Sequence, residues 1–245
     1  MPADRSGYPA EGTHLARYAE VFNAVEVNSS FYRTHRLATY ARWAAAVPRD
    51  FRFSVKVPKA ITHELKLVGC ARALDEFLVP VEGLGEKLGC LLVQLPPKLE
   101  FDAAAAGRFL RALRSRHGHA AVIEPRHASW FEPRADEILR AHRIARVAAD
   151  PPRSAADGTP GGWGGLAYHR LHGSPRMYFS AYEPGFLDTL AARLGRDAAA
   201  CGEAWCIFDN TGARAAVPDA LYLLGKLAPP RPGSQGPASQ GRAER

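Results

Sequence analysis

Seven short apolar or β-branched runs, each separated from the next by enough residues for a helix, constrain this chain more than any other feature. They are Ala24–Asn28 (AVEVN), Phe51–Val57 (FRFSVKV), Gly89–Leu95 (GCLLVQL), Ala121–Glu124 (AVIE), Ile144–Asp150 (IARVAAD), Leu166–His172 (LAYHRLH) and Ala204–Asp209 (AWCIFD). Helix-like stretches fall at Thr13–Phe22, Thr39–Val47, Ala71–Leu84, Asp102–Arg116, Ala135–His142 and Glu183–Ala200. Such alternation predicts βα units. Runs like GCLLVQL are apolar at consecutive positions, so both strand faces must be covered, which suits a parallel sheet under helices.

At 245 residues the chain has the length of one α/β domain. Neither GxGxxG nor GxxxxGK[ST] follows any run, so the nucleotide signatures of open doubly wound sheets are missing and a barrel is preferred. The reading is an α/β, TIM-barrel-like (β/α)8 fold that lacks one strand in this sequence. A single domain is expected over residues 1–227, with Asp150–Gly165 as a Pro/Gly-rich loop and residues 228–245 as a disordered basic Pro/Gly/Ser-rich tail.

Composition excludes little more. Hydrophobic residues at 47% and charged ones at 23% rule out a fibre or a wholly disordered chain. The formal charge of +7 mildly favours anionic partners without naming nucleic acid. Cys70, Cys90, Cys201 and Cys206 make no CxxC pair or metal-like spacing and read as reduced core residues. With no basic-plus-apolar leader at Met1 and no membrane-length apolar run, a cytoplasmic protein is expected, with no membrane partner.

The ends of the runs carry the functional signal. In order they present Glu26 and Asn28; Lys56; Gln94; Glu124 with Arg126 and His127; Asp150; Arg170 and His172; and Asp209 with Asn210. Barrel enzymes assemble their sites at that face from several strands. Glu26 lies between Val25 and Val27, so alternation aims it away from them into the interior, where a carboxylate needs Lys56 or Arg170 as partner. Lys56 is a clamp for Glu26, an anion ligand or, if its pKa is depressed, an imine-forming amine; clamp and anion binding are preferred.

Glu124, Arg126 and His127 bring acid, guanidinium and imidazole into one loop, where Arg126 can grip a carboxylate or phosphate and the other two can move protons. Trp130 either stacks on a ligand or packs beneath that loop, and His127 either works in the site or caps the turn. His172 is the first choice for general acid or base; the competing reading holds it to Asp150 or Asp209 merely to satisfy it. Tyr32, after Asn28-Ser29-Ser30, is a phenolic donor, and Asp209-Asn210 can orient the histidine or bind hydroxyls. Catalytic roles thus fall to Glu26, Glu124, His172 and Lys56. Substrate binding falls to Asn28, Tyr32, Gln94, Arg126, His127, Trp130, Asp150, Arg170, Tyr178 and Asn210. No cofactor is predicted. A divalent metal on Glu26, Glu124, Asp150 and His172 is the minority alternative, opposed by Lys56, Arg126 and Arg170 in the same mouth.

The strings VEVNSSFYR, FRFSVKVPKAITHE, KLGCLLVQLPP, EPRHASW, RLHGSPRMY and IFDNT, in this order, resemble the YecE-like family, also called domain of unknown function 72. The resemblance runs from about Gly12 to Leu227. It implies a TIM-barrel-like architecture and leaves the reaction open. The family's motif positions fall on Ser29, Pro58, His63, Pro96 and Gly173 besides the fourteen catalytic and substrate-binding residues just assigned. Members typically open with a Gly-Thr-Ser-Gly-Trp-like strand, whereas this sequence starts in the loop that follows, which makes the first strand the one expected to be missing. A start assigned too far downstream is preferred to a true seven-strand form, because losing a barrel strand should cost more than the roughly 5–15 kcal/mol that a domain has.

The functional expectation is an enzyme acting on a small anionic, phosphorylated or carboxylated metabolite by general acid–base chemistry, with hydrolysis, isomerisation and lyase reactions all compatible. A nucleic-acid-binding or nucleic-acid-processing protein with Tyr32, Trp130 and Tyr178 as stacking surfaces is one alternative, and a non-catalytic ligand sensor another. Oligomeric state is not readable from the sequence.

Overall fold

The computed structural model describes residues 12–153 and 156–227. The expectations for the start of the chain and for the tail at 228–245 lie outside the described residues. Helices and strands alternate: α1 (His14–Ala19), β1 (Ala24–Val27), α2 (Leu37–Ala45), β2 (Arg52–Lys56), α3 (Ala71–Val81), β3 (Leu88–Gln94), α4 (Ala103–Arg114), β4 (Ala120–Glu124), α5 (Pro133–Ala141), β5 (Ala145–Arg146), β6 (Ala148–Asp150), β7 (Gly161–Gly162), β8 (Ala167–Leu171), α6 (Pro184–Cys201), β9 (Ala204–Phe208) and α7 (Ala216–Leu227). The helix ends follow local chemistry. Thr13 and Asp102 cap α1 and α4 by accepting from Ala16 N at 3.2 Å and Ala105 N at 2.7 Å. Pro133 and Pro184 open α5 and α6, and Gly202 closes α6 in the left-handed region at φ 80°.

The strands form two sheets, ordered β1-β2-β3-β4-β5-β7 and β6-β8-β9, parallel throughout except for the antiparallel β5–β7 pair. The fold is therefore a mixed α/β fold with a parallel sheet. The expected run Ile144–Asp150 divides because it changes neighbours midway: Ala145 and Arg146 pair with β4, whereas Ala148 to Asp150 pair with β8. This one stretch joins the two sheets. The expected Asp150–Gly165 loop contributes β7, whose glycines sit against Arg146, where a Cβ on Gly161 would fall 2.2 Å from Arg146 Nη2. Helix α7 is an addition to the expected elements; Pro218 and Gly225 interrupt its pattern, yet it packs on α6 and β9.

Alternation gives every strand two faces. Outward residues such as Phe53, Val55, Leu91, Val93, Ile123 and Leu139 of the overlying helix form the main core. Inward residues Cys90, Leu92, Val122, Ala145, Val147, Tyr168 and Trp205 form a second buried cluster. The sheet curls around that second cluster. Strands about 4.8 Å apart would place β1 and β8 roughly 24 Å from each other in a flat sheet, but Arg170 on β8 bonds Glu26 on β1 at 2.8 Å. Closure into a barrel is not seen among the described residues: β9 and β1 are not paired, and a cavity of about 580 Å³ lies between them, lined by Ala24, Trp205, Ile207 and Leu223 and reaching Glu26 and Asp209.

Candidate functional site

Parity decides who meets whom. On β8 the inward positions are Tyr168 and Arg170, continued by His172 just past its end, and on β1, β2 and β4 they include Glu26, Ser54 and Glu124. Arg170 is almost wholly buried and is the hub: its Nε lies 3.1 Å from both Glu26 oxygens, Nη1 donates to Glu124 Oε2 at 3.2 Å, and Nη2 meets Glu26 Oε1 at 2.8 Å and Asp209 Oδ2 at 3.0 Å. Nη2 also reaches Asn28 Oδ1 at 3.4 Å. Glu26 thus finds its partner in Arg170, and Tyr168 adds a hydroxyl donor at 2.8 Å. Lys56 makes no ion pair with it.

His172 is fully buried between two carboxylates, with Nε2 2.8 Å from Glu124 Oε1 and Nδ1 3.1 Å from Asp209 Oδ2. The Nε2 atom is also 2.7 Å from Arg126 Nη2, which itself pairs with Glu124. One ring nitrogen therefore faces an acceptor and a donor together. A protonated ring donates to Glu124 and Asp209; a neutral ring keeps its Nδ1 proton on Asp209 and accepts from Arg126. Both states have partners, and the ring can change between them without leaving a buried polar atom stranded.

The electrostatics follow from close pairing. Burial pushes the Glu124 carboxyl up, but Arg170, the His172 hydrogen bond and Arg126 outweigh it and hold the carboxyl well below its usual range. Asp209 behaves alike: burial raises it, while His172 and Arg170 bring it down on balance. Three carboxylates, Glu26, Glu124 and Asp209, here surround the guanidinium groups of Arg170 and Arg126. Lys56 stands apart: its Nζ lies over the Phe31 ring, 4.4 Å from the centroid. Burial, then the charge of Arg170, lower its pKa against the opposing pull of Glu26, Glu124 and Asp209. Arg126 Nε is a buried donor with no hydrogen-bond partner among the described residues.

The remaining sequence candidates divide. Gln94 ends β3 half-buried in register with Glu124, beside the cluster. Tyr178 is 42% exposed, its ring edge-on to His172 at 5.8 Å, whereas Tyr32, 75% exposed, packs edge-on to Phe31 at 5.1 Å. Asp150 lies apart: Val147 belongs to the inward cluster, so the run's period of two turns Asp150 outward, where it accepts from Tyr182 Oη at 2.8 Å. Trp130 is buried in the outer core and donates to Leu99 O at 2.9 Å. His127 accepts from Ser129 N at 3.3 Å as a turn cap, and Asn210 donates to Ser180 O and Asp219 Oδ2, fixing the approach to α7. Sequence reasoning passed over Tyr168 and Ser54, whose side chains hydrogen-bond at 2.9 Å beneath Glu26. Extending the Arg170–His172 alternation two residues back would have found Tyr168.

For a metal, the donors are of a suitable type but occupied: Glu26 and Glu124 already accept from guanidinium groups. Among the described residues no three His, Cys, Asp or Glu side chains converge as a metal-holding group, and no helix is long and apolar enough to cross a membrane.

The chain is also similar to known proteins. Residues 4–241 match the model of a family described as "Protein of unknown function DUF72". The chain is 32% identical over 120 residues to UPF0759 protein YecE of Escherichia coli strain K12, a stretch covering 49% of this chain and 43% of that protein. It is 27% identical over 126 residues to UPF0759 protein YunF of Bacillus subtilis strain 168, covering 49% and 44%. Each match therefore spans less than half of the curated relative. Solved structures of DUF72 family proteins superpose over far more: one from Thermotoga maritima MSB8 has a TM-score of 0.72 at 26% identity, covering 86% of this chain and 87% of that one. Another, from Enterococcus faecalis V583, has a TM-score of 0.76 at 21% identity, covering 88% of each, which is a likeness of fold.

Proposed function

The chain belongs to the protein family of unknown function DUF72, a membership that fixes no reaction, and we propose from the site itself that it is an enzyme moving a proton on a small anionic metabolite. The observation that carries this reading is His172, whose Nε2 has both Glu124 and Arg126 within hydrogen-bond reach while Nδ1 stays with Asp209. General acid–base catalysis needs a group comfortable in both protonation states, and this ring is provided for in each. Asp209, 16% exposed at its side chain, is the end of the network that a ligand meets, with His172 behind it. Asn28 and Gln94 orient the ligand, and Lys56 offers it the cation that no carboxylate has claimed.

The curled parallel sheet supports a TIM-barrel-like reading of the frame, since the network gathers at the carboxyl ends of β1, β2, β4, β8 and β9, where barrel enzymes carry their sites. The test is proton exchange: phosphorylated and carboxylated hydroxy and keto compounds are incubated with the protein in D2O and followed by NMR. Deuterium entering at least one of them, and lost in both His172→Asn and Asp209→Asn, is the expected result. No exchange with any compound overturns the reading; binding without exchange leaves the ligand-sensor alternative. The exposed Tyr32, Tyr178 and Phe179, with Arg176 4.1 Å over the Phe179 ring, support a second reading as a nucleic-acid surface. Oligonucleotide binding that falls steeply with salt would favour it.

A further inference from the structure

We propose that Lys56 is a covalent catalytic residue, forming an imine with the carbonyl carbon of an anionic keto or aldehyde substrate. This rests on the acid–base reading and deepens it by naming the substrate class. Lys56 ends β2, next in register to Leu92 of β3, and its side chain projects inward toward the network. Every other cation of that network is held by a carboxylate: Arg170 by Glu26, Glu124 and Asp209, and Arg126 by Glu124. Among the described residues Lys56 has no ion-pair partner within 4.0 Å, although the charges of Glu26, Glu124 and Asp209 all act on it; its nitrogen lies over the Phe31 ring, 4.4 Å from the centroid. The ring face attracts the ammonium form, but it accepts no proton, so it leaves the nitrogen lone pair unengaged once burial and Arg170 have made the amine neutral. Burial and the neighbouring Arg170 ease that loss of the proton. On that side two titratable rings lie edge-on to Phe31, His63 at 5.0 Å and Tyr32 at 5.1 Å.

The step balances without any co-reactant. The neutral Nζ lone pair attacks the carbonyl carbon and the C=O π bond breaks; the oxygen takes one proton from the attacking nitrogen and a second from solvent, and leaves as water as the nitrogen lone pair forms the C=N bond of a protonated imine. The nitrogen is positive again, so it meets the ligand's anionic group and draws electrons from the adjacent C–H bond. Asp209, backed by His172, is placed to take that proton. A proton from solvent then returns to that carbon, and hydrolysis of the imine by one water restores the lysine and the carbonyl compound. Anion ligand and nucleophile are thus successive states of one nitrogen.

The full chain is incubated in D2O with pyruvate, dihydroxyacetone phosphate or glyoxylate, treated with borohydride, and mapped by peptide mass spectrometry, while recovered pyruvate and dihydroxyacetone phosphate are analysed for deuterium. The expected result is one reduced adduct per chain with at least one probe, on Lys56, at tenfold or more the labelling of Lys59 or Lys66, and none at that position in Lys56→Arg of unchanged melting temperature. In His172→Asn the adduct should persist while deuterium incorporation is lost. Labelling no greater at Lys56 than at Lys66, with all three probes, overturns the proposal. If deuterium still enters without an adduct, the imine fails and the acid–base reading stands. An adduct without deuterium upholds the imine and removes that reading.

Discussion

The inward face of the sheet is two surfaces on the same strands. On β3 and β4 the inward residues begin as Cys90, Leu92 and Val122 and end as Gln94 and Glu124; on the β8 strand they pass from Tyr168 to Arg170 and His172. Most of both parts are buried. The apolar part is held by fit and volume, whereas the ionic part is held by a balance of charge in which each member depends on the others. Burial alone therefore does not tell how a residue responds to change; the neighbours it leaves behind do.

Four substitutions sharpen that contrast. Arg170→Met should have the largest effect: it leaves Glu26, Glu124 and Asp209 facing one another, and removing one partner of a buried ion pair costs about 3–5 kcal/mol, read from chemical denaturation at pH 7. Leu92→Ala removes volume from the apolar part and should cost about 3 kcal/mol. Acid separates these two. Glu124 and Asp209 both titrate below their ordinary values of 4.5 and 3.8, so their contribution is complete above those values and is lost as pH falls through the native ones. The Arg170→Met deficit should therefore shrink between pH 7 and pH 3, as its stranded carboxylates become protonated, while the Leu92→Ala deficit stays constant; parallel curves would break the comparison.

Tyr168→Phe sits on the boundary and removes a donor from a buried carboxylate, which should cost about 2 kcal/mol. Lys56→Met should be the mildest, below about 1 kcal/mol in stability, because no carboxylate loses its partner, yet it should impair ligand affinity strongly. An Lys56→Met variant that binds as well as the natural chain removes Lys56 from the site.

How far this contrast was readable in the sequence depends on distance along the chain. Alternation within single runs sufficed to turn Glu26, Lys56, Arg170 and His172 inward. It was also sufficient to turn Asp150 outward, had the small residues of IARVAAD been counted by parity rather than the aspartate by its place at the end. Which cation Glu26 would choose was not readable, because the answer depends on how far the sheet curls. The division of Ile144–Asp150 arises from a change of neighbours, which no local pattern records, and α7 hid behind Pro218 and Gly225 because its stability comes from packing on α6 and β9.

The bond between Arg170 and Glu26 spans 144 residues of chain, and that of Tyr168 to Glu26 spans 142. Contacts of such separation must overcome the entropy of a long loop before they return anything, so they close late. A chain that has assembled β1 to β5 with their helices holds much of its secondary structure but has neither the hub arginine nor the histidine in place. Ligand binding would then be the last signal to recover on refolding, trailing far-ultraviolet circular dichroism, and occupancy of the site would report that the two halves of the chain have met.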